Sequence, residues 1–176
     1  MRESVSRCHM WAAGLSAGLV LSTAAWAEPG ITWPEGWEPK AISVPVQPEG
    51  AKITNLTAIR TTPERNVEGM ISFSILTYES GEAAELEEEA QAIQQVYAHR
   101  PASEQVECGA FEPAMLAGLP ARRMSCVTRP GRPVLRTHVM VVVKGAVRAT
   151  LIFAAPPKAY EESRLVFEAV EKSLRF

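Results

Sequence analysis

Cys108 and Cys126 are the residues whose type and spacing point most directly to chemistry. Seventeen residues separate them, and their midpoint falls within Leu116-Ala117-Gly118-Leu119-Pro120, a stretch with turn character. A hairpin folding there sets the two cysteines opposite each other, within reach of a cross-strand disulfide. A redox-active pair would read Cys-x-x-Cys at a helix start, so the pair reads as a structural staple. Closing a loop of this size is worth about 3 kcal/mol in the chain-entropy model.

Histidine offers less. His99 falls at the end of an expected helix, where a cation meets the negative end of the dipole. His138 lies mid-strand on the face of Met140, opposite Leu151 in the expected register, and reads as a hydrogen-bonded sheet histidine. A hydrolase or transferase of the cell envelope would have to use one of these two as its base. Neither has a cysteine or carboxylate at ligand spacing, so no metal and no cofactor is expected. The sequence has no His-Glu-x-x-His, phosphate loop or dinucleotide fingerprint. All 20 acidic side chains are Glu, and the missing Asp removes EF-hand loops, aspartyl dyads and Ser-His-Asp triads. No catalytic residue is assigned, and the expectation is a protein that is not an enzyme.

The charges are divided along the chain. Glu79 to Glu89 holds six Glu and no base, whereas Pro113 to Tyr160 holds no acid but Arg122, Arg123, Arg129, Arg132, Arg136, Lys144, Arg148 and Lys158. The plain reading is an acidic, solvated helix face and bases scattered over a sheet, with Arg122 and Arg123 on opposite faces. The sharper one is an anion-accepting or partner patch of Arg129, Arg132, Arg136 and Arg148. Trp33 and Trp37 bracket Pro34-Glu35-Gly36; they either pin the N-terminal segment to the core or form an aromatic contact for a sugar or a protein. Without basic-aromatic interleaving, nucleic acid is not an expected partner.

The elements that must position these residues follow from patterning. Arg2 and Arg7, the uncharged run Met10–Ala25 and Ala25-Trp26-Ala27 form the three parts of an export signal, with cleavage expected after Ala27. Gly14-Leu15-Ser16-Ala17-Gly18 imitates a hydrolase elbow, but it lies inside that leader. Residues 28–176 then form a single domain; loss of Arg2, Arg7 and Glu3 takes the net charge from −2 to −3. The expected location is periplasmic or secreted, with no transmembrane segment in the mature chain. Strands are expected at 31–33, 41–46, 52–61, 69–78, 104–112, 120–129, 133–143 and 146–154, the last two joined at Lys144-Gly145. Helices are expected over 80–100, with the stripe Ala83, Leu86, Ala90, Ile93 and Tyr97, and from Pro156 onward, with Tyr160, Ser163, Phe167, Val170 and Leu174.

This order resembles the PsbP-like family. The features carrying the resemblance are the Trp33-Pro34-Glu35-Gly36-Trp37 element, the meander, and a closing helix with Phe167, Val170, Ser173 and Leu174 in a Phe-x-x-Val-x-x-Ser-Leu pattern. The resemblance implies an α+β fold: an antiparallel sheet of about six strands with a helix on each face. It also implies a mostly non-enzymatic protein and assigns no functional residue. The functional expectation is an exported binding or accessory protein recognising another envelope protein or an anionic component, an immunity-type inhibitor of a periplasmic toxin being a special case.

Overall fold

The computed structural model describes residues 30–43, 49–99, 106–128 and 134–176. The leader expected over 1–27, and Arg129 and Arg132, lie outside the described residues. Ten elements follow in chain order: β1 (Lys40–Ala41), β2 (Ala51–Thr61), β3 (Val67–Tyr78), α1 (Leu86–Ala98), β4 (Val106–Cys108), β5 (Glu112–Leu116), β6 (Leu119–Thr128), β7 (Arg136–Lys144), β8 (Val147–Ala155) and α2 (Pro157–Ser173). The strands form one sheet in the order β1-β2-β3-β8-β7-β6-β4, with β5 also paired to β6. The ladders are antiparallel.

Among the described residues eight strands rather than about six are present: the short β1 adds one, and a second arises at 104–112. Cys108 pairs with Cys126, but Glu112 pairs with Arg123, so one extra residue is accommodated around Gly109–Phe111. This bulge divides the expected strand into β4 and β5 while leaving the cysteines opposed. They form the disulfide Cys108–Cys126. The strand expected at 31–33 is absent; Gly30 bridges Arg175 instead, and the chain then turns at Pro34–Trp37.

Two register details also depart from expectation. The loop between β7 and β8 is Gly145-Ala146, with Lys144 paired to Val147, because Gly145 supplies a left-handed φ of 57°. His138 therefore faces Phe153 rather than Leu151, a shift of two that keeps its face. The first helix begins at Leu86, not residue 80. Gly81 has a φ of 72°, and the Ala84 N–H donates to the Gly145 carbonyl, so residues 80–85 follow the β7–β8 turn before helix can start.

Alternation in β7 divides the core. Met140 and Val142 join Phe73, Leu151, Phe153, Phe167, Val170 and Leu174, the last three from α2 and its end. Val139 and Val141 join Met124 and Cys126, with Leu86, Ile93 and Tyr97 of α1 packed against them. A buried polar contact adds to the α1 packing: Glu89, 8% exposed, accepts from the Tyr78 hydroxyl and from the Arg148 guanidinium. Burial, followed by the bond to Glu89, raises the Tyr78 pKa.

Candidate functional site

β6 and β7 present a row of polar side chains on the side that carries α2. Ser125 is directly opposite His138, Arg123 opposite Met140, and Val127 opposite Arg136. Met124 and Cys126 belong to the α1 cluster, so Arg123 and Ser125 point the other way, with His138 and Arg136. Across from them, α2 contributes Tyr160, whose hydroxyl lies 3.1 Å from His138 Nδ1. The imidazole also meets the Phe167 ring edge-on at 5.4 Å. The Nε2 atom of His138 is buried without a hydrogen-bond partner. Burial first, and the positive charge of Arg123 second, depress the His138 pKa to about 4, so the ring is neutral at physiological pH.

Arg123 is the charge these groups share. It acts on His138, on Tyr160 and on Glu171. Tyr160 also senses Arg136; burial, and after it the charge of Glu161, raise its pKa. Each arginine has one exposed carboxylate partner: Glu112 for Arg123 at 3.5 Å, and Glu161 for Arg136 at 2.5 Å. All four side chains are at least 47% exposed, so these pairs contribute only about 0–1 kcal/mol and an incoming anion can displace them. Arg123 and Arg136 thus present exposed, exchangeable guanidinium donors on this side of the sheet.

A pocket of about 480 Å³ lies where the β5–β6 turn meets the end of α2, bounded by Met115, Leu116, Gly118, Glu171, Lys172 and Leu174. Met115 is 63% exposed. Glu171 is half-buried, and burial, with the charge of Glu168 next, raises its pKa while Arg123 opposes the shift. Ala117 and Gly118 in the turn both have positive φ, 52° and 76°.

The other expected site residues are dispersed. Arg148 is drawn to Glu89 with its side chain only 20% exposed, on the side of α1, so it shares no surface with Arg136. Trp37 is 4% exposed and is a core residue rather than a contact. Trp33 is partly buried and, with Pro34, Val166 and Val170, lines an apolar groove of about 370 Å³. His99 Nδ1 contacts the Gln95 carbonyl of its own helix at 2.8 Å. Among the described residues no group of three or more His, Cys, Asp or Glu is placed to hold a metal ion. Arg123, Ser125, Tyr160 and Glu171 were not foreseen; the one available signal was that Arg122 and Arg123 must diverge. They do: Arg122 pairs with Glu87 of α1.

Residues 28–176 match the family described as a domain of unknown function, DUF4946. The chain belongs to that family. The DUF4946 fold is similar to a crystal structure from Bacteroides thetaiotaomicron VPI-5482, with a TM-score of 0.51 and 12% identity over 86% of this chain and 45% of that one. The chain therefore spans less than half the length of that protein. It is also similar to LpqN of Mycobacterium tuberculosis, described as involved in cell envelope biogenesis (TM-score 0.46, 13% identity, 84% of this chain and 89% of that one). A third similar structure is PA94, a protein of unknown function from Pseudomonas aeruginosa (TM-score 0.48, 11% identity, 78% and 96% of the two chains). No curated protein sequence matches the chain.

Proposed function

We propose that this DUF4946 chain is an exported, non-enzymatic binding protein that captures an acidic group of its partner at Arg123, Arg136, Tyr160 and Ser125. The observation that carries the reading is that Arg123 and Arg136, on the α2 side of β6 and β7, are both exposed and held only by exposed carboxylates. Guanidinium groups suit carboxylate and phosphate because their donors can bind both oxygens at once. Arg129 and Arg132 flank the site in sequence, between β6 and β7.

Export is supported by the family match, which starts at Glu28, the first residue after the expected cleavage. The proposed architecture is the α/β/α sandwich of the PsbP-like resemblance, supported by the division of β7 between the α1 and α2 clusters. A catalytic role is disfavoured by the surroundings of His138. Its Nδ1 meets a tyrosine hydroxyl rather than a carboxylate, its Nε2 is buried, and the charge beside it is an arginine. Among the described residues no helix is long and apolar enough to cross a membrane.

The test is co-purification of the tagged protein from the periplasm. Joint Arg123→Glu and Arg136→Glu replacement should abolish capture of the partner, and raising salt should weaken wild-type capture. Capture that survives both treatments removes the reading.

A further inference from the structure

We infer that the outward face of α2 is a docking surface for a second copy of this chain, the two helices lying antiparallel about a two-fold axis near Phe167. This goes beyond the anion-site reading and does not depend on it. α2 turns Tyr160, Phe167 and Val170 toward the core cluster. Its opposite face is the exposed row Lys158, Glu162, Leu165, Ala169 and Lys172. Spacings of four, three, four and three are the repeat of a helix-pairing seam. Leu165 stands in the middle of that seam and is 69% exposed, the most of any large apolar side chain among the described residues. It is not isolated. Beside Ala169 the seam borders the groove lined by Trp33, Pro34, Val166 and Val170, so leucine, alanine and groove form one continuous apolar strip.

The charges on the seam choose the occupant and its direction. Glu162 and Lys172 stand five positions either side of Phe167, and Leu165 and Ala169 stand two either side. Turning the helix end for end therefore sets Glu162 against the partner's Lys172, twice, and Leu165 against the partner's Ala169, twice. Large against small lets the two seams interdigitate. A parallel pairing would instead set like charges together, Glu162 on the partner's Glu162 and Lys172 on the partner's Lys172. A seam for an unrelated protein need not be inversely charged about its own centre, whereas a self-complementary one must be. Among the described residues neither Glu162 nor Lys172 forms an ion pair within the chain. Glu168, which approaches its own mate near the axis, is countered by Arg164 of the same helix at 2.7 Å. α2 has 17 residues, so the contact falls at the small end of specific interfaces and should be reversible, with a dissociation constant of about 10–100 μM.

The experiment is sedimentation equilibrium of the purified domain, residues 28–176, over a concentration series from about 5 μM to about 1 mM. A monomer–dimer equilibrium is expected. Leu165→Glu, at an exposed position, should weaken it at least about tenfold while leaving the melting temperature of the dilute protein unchanged. Glu162→Lys and Lys172→Glu should each weaken it about tenfold, and the chain carrying both replacements should regain the wild-type constant. A chain that stays monomeric throughout the series overturns the inference, and so does a dimer indifferent to Leu165→Glu or to the single charge reversals. Failure of the doubly replaced chain to recover overturns it as well, because the seam would then not pair with itself end for end. A monomer that loses an envelope partner on Leu165→Glu assigns the seam to that partner and likewise overturns it.

Discussion

Three single residues carry physical consequences that can be measured. Gly69 lies under Trp37, and a Cβ added there would stand 2.8 Å from Trp37 Cη2. Because the indole is locked in the core, Gly69→Ala should destabilise the domain by about 1–3 kcal/mol, read as an earlier denaturant midpoint with an unchanged slope. Ala117 occupies a left-handed turn position that suits Asn. Ala117→Asn should raise stability by about 0.5–1 kcal/mol, and a lower melting temperature would show that the turn is not strained. His138 predicts the pH dependence. Its folded pKa, about 4, lies below the unfolded value of about 6.5, so between those pH values the unfolded chain holds the extra proton. This contribution to stability is intact above about pH 6.5 and is lost as pH falls toward 4, at up to ~1.4 kcal/mol per pH unit. His138→Gln should flatten that slope in denaturation curves; an unchanged slope would assign it to other groups.

At the scale of elements, α1 packs through one apolar stripe and one buried ion pair. Glu89 and Arg148 satisfy each other in a site that excludes most water, and Tyr78 completes the carboxylate. Glu89→Ala would strand the guanidinium of Arg148 and should cost about 3 kcal/mol, whereas replacing both by Leu should cost much less. Equal losses in single and double variants would show that the pair is not coupled. The charge run Glu79–Glu89 predicts an acidic helix but not that one of its six carboxylates turns inward. That choice depends on where β8 places Arg148. The disulfide was legible because turn midpoint and pairing register are local geometry, and it survived the bulge at Gly109–Phe111 because β4 and β5 absorb the shift on one side of it. Of the expected patch, Arg136 and Arg148 take opposite faces of the sheet, one beside α2 and the other held by Glu89 of α1. Sequence proximity does not tell which faces Arg136 and Arg148 take once the register of β7 and β8 is set.

For the molecule as a whole, the exposed charge pairs contribute little to stability. The two exposed arginines of β6 and β7 hold carboxylates loosely, and Arg148 holds one tightly; the former can trade partners and the latter cannot. Substitution at His99 should therefore leave any binding function intact, while substitution at Arg123 should not. Periodicity and turn residues by themselves determined that two helices form, that β7 and β8 are joined by a two-residue turn near Gly145, and that the cysteines pair, since each depends on neighbours along the chain. The absence of Asp likewise narrowed the chemistry before any contact was known. Only the tertiary structure decided that His138 meets Tyr160 and Phe167, because the meeting needs α2 laid against the sheet over β7 and β8. It also decided that Trp37 is core and that Arg148 is committed to Glu89. These are contacts between residues distant in sequence, fixed by which faces the packed sheet turns toward each helix.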